Sequence, residues 1–176
     1  MAKADNGGKP VVGIIMGSDS DWETMQRCAK QLDELAVAYE VRILSAHRTP
    51  AEAHAYAAAA AEHGLKVIIA AAGLAAHLAG AMAAGSALPV IGVPMAAGPL
   101  NGIDALLSTV QMPPGVPVAT VGIGAAGATN AAILAAQIIA TADEALAARV
   151  AAFRTAQAQK VKTKDSAFAA RQFPGI

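Results

Sequence analysis

The strongest constraint on the fold is a regular alternation of short strand-like segments with longer segments that favour helix. The strand-like segments are residues 11–16, 38–44, 66–71, 89–93 and 116–121. The first has no polar side chain and places β-branched residues around a glycine, which is typical of a strand covered on both faces. We therefore predict five strands, most of them buried.

The segments between these strands favour helices. We predict helices at residues 22–35, 50–63, 101–110 and 142–160, with one more that ends near Ala84 and another that ends at Ala140. Strands that alternate with helices form a parallel sheet, and right-handed crossovers place the helices on both faces. The expected architecture is α/β, a flavodoxin-like three-layer α/β/α sandwich with a five-stranded parallel sheet.

Polar loops follow the first three predicted strands where each strand ends. They are residues 18–21, residues 45–50 and residues 73–78. Ligands of open parallel sheets bind beyond the carboxyl ends of the strands. We therefore expect the three loops to converge on one binding site.

The second loop, residues 45–50 (SAHRTP), carries the groups best suited to chemistry. The imidazole of His47 can give and take a proton near neutrality, and the guanidinium of Arg48 is a charged, planar fork that suits phosphate. Thr49 and Glu52 have the spacing of a capping box, so the following helix would hold the loop in place. In the alternative interpretation the segment only begins a helix and the His-Arg pair is solvated.

The first loop, residues 18–21 (SDSD), is rich in hydroxyls and carboxylates. A turn of this kind at a helix N-terminus presents backbone N–H groups to an anion such as phosphate. Asp21 would repel the anion itself, so we expect it to contact a neutral hydroxyl, for example on a ribose. Ser20 and Glu23 have the spacing of a capping box for the helix that follows. The alternative for the turn is simple capping, in which Ser20 and the two aspartates stabilise the helix dipole.

Composition excludes several classes of partner. The chain has 176 residues, 55% of them hydrophobic, which suits one buried domain that we assign to residues 10–160. The 13 basic and 13 acidic side chains cancel, so no field would gather nucleic acid or an anionic membrane surface. A small molecule is the expected ligand.

Localisation follows from the cysteine and from two apolar stretches. Cys28 lies at helical spacing from Met25 and Leu32, which favours a buried apolar residue over a nucleophile or metal ligand. Residues 11–16 are too short for a signal-peptide core. Residues 67–100 could be mistaken for a membrane span, but glycines and prolines divide them into pieces too short to cross a bilayer. We expect a cytoplasmic protein without membrane contact.

A formal dinucleotide fingerprint, residues 122–127 (GIGAAG), follows the fifth predicted strand. No strand comes after it to carry the acidic residue that would hold a ribose. The nearest acids, Asp143 and Glu144, begin the next helix behind Thr141 as another capping box. We interpret the glycines as allowing close packing of strand against helix, and a nicotinamide-dependent dehydrogenase is the less favoured alternative.

Four motifs together resemble the class I N5-carboxyaminoimidazole ribonucleotide mutases of purine biosynthesis. They are residues 17–22 (GSxSDW), 45–50 (SAHRTP), 75–78 (AAHL) and 106–113 (LLSTVQMP). The similarity extends from about residue 11 to about residue 154. The arginine after His47 is similar to the bacterial mutases rather than to the carboxylase branch, which typically has lysine there.

This resemblance implies an isomerase that converts N5-carboxyaminoimidazole ribonucleotide into its 4-carboxy isomer, as a homo-octamer and without metal or organic cofactor. It implies that His47 is the proton shuttle and that released CO2 stays in a closed pocket, for which Ala75, Ala76 and Leu78 would form an apolar lining. By the same resemblance, the ribose 5-phosphate portion of the ribonucleotide would be held by Ser18, Asp21 and Arg48. The rest of the pocket would be lined by Ser20, Ser45, Gly73, His77 and Leu78.

The sequence departs from the family pattern beside His77. Ala71, Leu74, Ala79 and Ala81 stand where that loop often carries glycine, glycine, proline and methionine. Leu74 would be strained if its position requires a positive φ.

Residues 161–176 are predicted to form a polar tail whose Phe168 and Phe173 dock on a neighbouring subunit. The competing functional hypothesis for the whole chain is a phosphosugar-binding or nucleotide-binding module without catalysis, because a fold does not determine a function.

Overall fold

Six strands and six α-helices make up the part of the chain that the structure, a computed structural model, describes: residues 2–3 and 8–169. The strands are β1 (Ala2–Lys3), β2 (Val12–Met16), β3 (Tyr39–Ile43), β4 (Val67–Ala72), β5 (Val90–Pro94) and β6 (Ala119–Thr120). The helices are α1 (Trp22–Glu34), α2 (Pro50–Ala59), α3 (Leu78–Gly85), α4 (Ile103–Val110), α5 (Gly124–Ala140) and α6 (Glu144–Ala169). A short 3-10 turn, Asp19–Asp21, precedes α1.

The strands form one sheet in the order β1-β3-β2-β4-β5-β6. The five strands from β2 to β6 are parallel, while β1 pairs antiparallel with β3 at the edge. The predicted flavodoxin-like five-stranded parallel sheet is therefore confirmed, and β1 is an addition that the sequence did not suggest. From β2 the chain first adds β3 on one side and then β4 on the other, so the connections reverse direction between β2 and β4. Such a switch point opens a crevice for ligands.

Helices cover both faces of the sheet, because side chains alternate along each central strand. On β2, Val12, Ile14 and Met16 belong to a core shared with α1 and α5, whereas Ile15 belongs to a second core shared with α2 and α3. Helix α4 lies on the second face, where Thr109 packs near Gly92 of β5. None of the described helices combines the length and apolar character needed to cross a bilayer.

Alanine allows the helices of the first core to approach closely. Five alanines of α5 recur at helical spacing and have no solvent exposure: Ala128, Ala131, Ala132, Ala135 and Ala136. Cys28 of α1 is fully buried in the same core, and burial raises the pKa of its thiol to about 12. The thiol is therefore protonated and apolar, as predicted.

Two predicted elements have different bounds in the structure. The strand predicted at 116–121 is β6, and it pairs with β5 only at Ala119–Thr120. Pro117 lies in the predicted segment and has no backbone N–H to donate to a neighbouring strand. The second helix ends at Ala59, before the predicted end at His63, and Gly64 follows with a φ of 94°.

The last helix is longer than predicted. Helix α6 continues to Ala169, beyond the predicted end at Lys160, so the first part of the predicted tail is helical. Only Leu146 and Val150 of α6 are buried, and Phe168 is 56% exposed. Phe173 lies outside the described residues, so docking of the tail stays a prediction.

The glycine-rich segment 122–127 runs from the end of β6 into the first turn of α5 and has a packing role. A Cβ atom at Gly127 would overlap the carbonyl oxygen of Gly122, whereas a Cβ at Gly122 would meet nothing within 4 Å. After α5 the chain enters α6 and no strand follows within the described residues. This arrangement agrees with close strand-to-helix packing.

We expect Gly127→Ala to lower the free energy of unfolding by about 2 to 3 kcal/mol, because the added methyl group forces the β6–α5 connection apart. Gly122→Ala, in the same segment, is the matched control and should change it by less than about 0.5 kcal/mol. Urea denaturation of both variants measures the difference. Equal midpoints would contradict the packing role of Gly127.

Candidate functional site

A cavity of about 520 Å³ opens at the carboxyl ends of β2, β3 and β4, beside the switch point of the sheet. The three polar loops converge there as predicted. All nine residues proposed from the sequence line it: Ser18, Ser20, Asp21, Ser45, His47, Arg48, Gly73, His77 and Leu78. Ala75 also lines the cavity, but Ala76, expected in the apolar lining, is buried away from it.

The loop after β2 is organised by its own side chains. Ser18 caps the 3-10 turn by accepting a hydrogen bond from the backbone N–H of Ser20 at 3.3 Å. Asp21 completes this capping box, since its Oδ2 accepts from the backbone N–H of Ser18 at 3.3 Å. The predicted Ser20–Glu23 box is therefore wrong, because the turn begins before α1 and Ser18 takes the capping position.

This capping changes what the first loop can offer a ligand. The backbone N–H groups of Ser18, Ser20 and Asp21 already have acceptors within the turn, so they are not the free anion donors that the sequence suggested. The hydroxyls of Ser18 and Ser20 bond each other at 2.9 Å and line the cavity. Ser18, Ser20 and Asp21 would therefore contact a ligand through their side chains.

Asp21 is the half-buried carboxylate of the cavity. Burial raises the pKa of Asp21 from its ordinary value, the hydrogen bond from the Ser18 N–H opposes that shift, and nearby Asp19 adds to it. A desolvated carboxylate gains from a neutral donor such as a hydroxyl group.

The loop after β3 is closed by Thr49. Its Oγ1 accepts from the backbone N–H of Ser45 at 2.9 Å and donates to the Ser45 carbonyl at 3.2 Å. Thr49 precedes α2 but makes no side-chain capping bond, so the predicted box with Glu52 does not form. The Thr49 hydroxyl is already hydrogen-bonded to the Ser45 backbone, so it does not cap the helix. The loop is therefore held by its own hydrogen bonds and not by the helix.

Arg48 joins the second loop to the first. Its Nη2 donates to the carbonyl oxygen of Gly17 at 2.7 Å, and its backbone N–H donates to Ser45 Oγ at 3.1 Å. The guanidinium also borders an adjoining concavity of about 410 Å³, which Ile43 and Asp19 help to line. An exposed cation is thus fixed at the boundary of two cavities.

His47 and His77 meet across the cavity. His47 Nε2 lies 2.8 Å from His77 Nδ1, and the two rings are nearly perpendicular, at 85°. One of these two nitrogens must carry the hydrogen and the other must accept it. Among the described residues no other group bonds a ring nitrogen of His47. Each imidazole therefore restricts the orientation of the other.

The loop after β4 carries the strained position that the sequence indicated. Leu74 has a φ of 56°, in the left-handed region, and its side chain is 51% exposed at the cavity. Leu78, in the first turn of α3, is only 2% exposed and lies at the inner wall.

Two features of the site were missed by sequence reasoning. Ala97, in the loop after β5, also lines the cavity, and only its place beyond a fourth strand end could have indicated it. The pairing of His47 with His77 had no sequence signal, because the two residues are 30 positions apart. In the described part of the chain, no cluster of three or more His, Cys, Asp or Glu side chains could hold a metal ion.

Comparison with known proteins identifies the family of the chain. The family described as AIR carboxylase matches residues 11–160. N5-carboxyaminoimidazole ribonucleotide mutase of Bacillus subtilis is 61% identical over 81% of this chain and 88% of that protein. The protein of the same name from Mycobacterium tuberculosis is 55% identical over 91% of both chains.

A solved structure shares the fold. The crystal structure of Treponema denticola PurE superposes with a TM-score of 0.79 and 30% identity, covering 89% of this chain and 97% of that one. The fold, the match along residues 11–160 and the identities to curated relatives lead to one conclusion: this chain belongs to the AIR carboxylase family.

Proposed function

We propose that the protein is a mutase that converts N5-carboxyaminoimidazole ribonucleotide into 4-carboxy-5-aminoimidazole ribonucleotide in de novo purine biosynthesis. Family membership and the names of its relatives support this activity. The observation that carries it is the His47–His77 pair, held at 2.8 Å inside a cavity whose rim bears the guanidinium of Arg48. A purely binding module has no need of a positioned proton carrier.

The reaction needs no net proton, so a single acid–base group suffices. In the first half, the bond between the exocyclic nitrogen and the carboxylate carbon breaks. Its electron pair returns to the nitrogen, which takes a proton from the His47 imidazolium, and CO2 is released. In the second half, ring carbon C4 attacks CO2, and the proton that C4 carried passes to the neutral His47.

His77 positions the proton carrier in this proposal. It accepts the Nε2–H of His47 in both charge states, which leaves Nδ1 of His47 to give and take the proton. The CO2 released in the first half stays in the cavity, next to the apolar side chains of Ala75 and Leu78. Retention of CO2 matters because the second half of the reaction consumes the same molecule.

The remaining cavity residues hold the ribose 5-phosphate. Arg48 supplies the positive charge for the phosphate, and Ser18, Ser20 and Ser45 supply hydroxyls around it. Asp21 accepts from a ribose hydroxyl. Gly73 borders the cavity where a side chain would come close to Met95 and Ala97, so it leaves room for the ring. Binding energy from the phosphate is thereby used to orient the imidazole.

The proposal includes a homo-octamer in the cytoplasm, with no nucleic acid or membrane partner and no metal or organic cofactor. An apolar stripe on and before α4 supports self-association, since Leu100, Ile103, Leu107 and Val110 each expose about half of their surface. The exposed second half of α6 provides a further surface for a neighbouring subunit.

His47→Asn should lower kcat by about 10³-fold or more, since asparagine can keep a polar contact but cannot carry the proton. Binding of the product ribonucleotide, measured by calorimetry, should stay within about threefold of the parent. His63→Asn, an exposed histidine outside the cavity, is the matched control. A kcat near that of the parent in His47→Asn would eliminate the mechanism.

Arg48→Ala should weaken ribonucleotide binding by roughly 10- to 100-fold, because a charge-assisted contact to phosphate is lost. Binding of the corresponding riboside, which lacks the phosphate, should change far less. Arg27→Ala, an exposed arginine of α1, controls for loss of charge. Equal losses for ribonucleotide and riboside would refute the phosphate role.

Asp21→Asn should weaken ribonucleotide binding by about tenfold while keeping or raising the melting temperature at pH 7. Because the folded-state pKa of Asp21 is raised, folding disfavours its ionised form. That penalty exists above the raised pKa and disappears below the ordinary value of 3.8, so the gain in melting temperature should shrink on acidification. A melting temperature several degrees below the parent at pH 7 would show that the charge stabilises the fold.

A further inference from the structure

Asp19 is a carboxylate beside the cavity that takes no part in the proposed mechanism. It occupies the unspecified position of the motif at residues 17–22. Its side chain is exposed and borders the concavity of about 410 Å³, together with Ser18 and Arg48. Ser18 and Arg48 also line the main cavity. A negative charge therefore shares a surface with the hydroxyl and the cation that are assigned to the substrate phosphate.

The carboxylate of Asp19 sets the direction of the hydrogen bonds in the first loop. Ser18 Oγ lies 3.1 Å from Asp19 Oδ1, and Ser20 Oγ lies 2.9 Å from Ser18 Oγ. An ionised carboxylate can only accept, so the Ser18 hydroxyl donates its hydrogen to Asp19. The Ser20 hydroxyl must then donate its own hydrogen to Ser18. Both hydroxyl hydrogens are therefore used within the loop.

A phosphate group needs these hydroxyls in another orientation. Phosphate oxygens accept hydrogen bonds, whereas the two serine hydroxyls direct their hydrogens into the loop. To donate to phosphate, Ser18 must turn its hydrogen away from Asp19. The carboxylate of Asp19 and the phosphate of a ligand thus compete for the same donor.

Charge repulsion acts in the same direction as this competition. Burial is the main cause of the raised pKa of Asp21, and the charge of Asp19 adds to the shift. The field of Asp19 therefore reaches Asp21, which lines the main cavity. A phosphate on Arg48 is subject to the same field, because Asp19 and Arg48 border one concavity. Since Asp19 is exposed, the repulsion is moderate and is weakened by salt.

We propose that Asp19 limits the affinity of the cavity for phosphate groups, by competing for the Ser18 hydroxyl and by repelling the phosphate charge. The proposal rests on the proposed function, in which the cavity holds the ribose 5-phosphate. Substrate and product of the mutase carry the same phosphate, so Asp19 weakens the binding of both by the same factor. A lower affinity for the product favours its release after each turnover.

The test compares ligands with and without a phosphate on the full-length protein. Calorimetry measures the Kd of the product ribonucleotide and of its riboside, and inorganic phosphate is measured by displacement of the ribonucleotide. Asp19→Asn removes the charge but keeps an acceptor oxygen for Ser18, and Asp19→Glu keeps the carboxylate. Glu23→Gln is the matched control, since Glu23 is an exposed carboxylate in the first turn of α1 that lines neither cavity.

Asp19→Asn should tighten the binding of ribonucleotide and of inorganic phosphate by about three- to tenfold at low ionic strength. The gain should shrink in about 0.5 M salt, where charges are screened over a few ångströms. Riboside binding by Asp19→Asn, and ribonucleotide binding by Asp19→Glu and Glu23→Gln, should stay within about twofold of the parent.

Unchanged or weaker ribonucleotide binding in Asp19→Asn would overturn the role of Asp19. An equal gain for the riboside would overturn it as well, because the riboside has no phosphate to repel. Absence of ribonucleotide binding by the parent would instead overturn the proposed function itself.

Discussion

The site depends on the parallel register of three neighbouring strands. Met16, at the end of β2, pairs with Ile43 of β3 on one side and with Ala71 of β4 on the other. The polar loops that follow these strands therefore start at the same level of the sheet. This register allows His47 to reach His77 and Arg48 to reach Gly17, although each pair is 30 or more positions apart in the chain.

Hydrogen bonds within and between the loops then fix the orientations of the cavity side chains. Thr49 closes the second loop on Ser45, and Ser18 and Asp21 close the first. Arg48 ties the second loop to the first, and His77 ties the third loop to the second. The loops thus hold one another with little help from the helices that follow them. Such a site is largely organised before a ligand arrives, which lowers the entropic cost of orienting substrate.

Much of the fold was predictable because burial on both faces leaves a clear pattern of β-branched residues, as at Val12, Ile14 and Ile15. The site residues were predictable because they follow strand ends and resemble family motifs. The wrong capping-box prediction before α1 arose because two pairs of residues offer the same pattern. Ser18 with Asp21 and Ser20 with Glu23 have the same capping spacing, and only the turn before α1 selects the first pair.

Other features had no local signal. The hydrogen bond between His47 and His77 depends on sheet register, and Ala97 has no polar group to mark it. The extension of α6 to Ala169 was missed because its exposed second half lacks the apolar periodicity that packing against a core produces. Leu74, in contrast, did have a local signal. Its departure from the family pattern indicated a strained backbone, and its φ of 56° lies in the left-handed region.

We propose that one imidazole, aligned by a second, serves both the nitrogen and the carbon of the substrate. A crystal structure of the protein with the product ribonucleotide bound tests it most directly. We expect a ring nitrogen of His47 within about 3.5 Å of both the exocyclic nitrogen and the carbon that bears the carboxylate. We also expect the phosphate on Arg48. A ribonucleotide whose reacting atoms lie away from His47, with another titratable group beside them, would contradict the account.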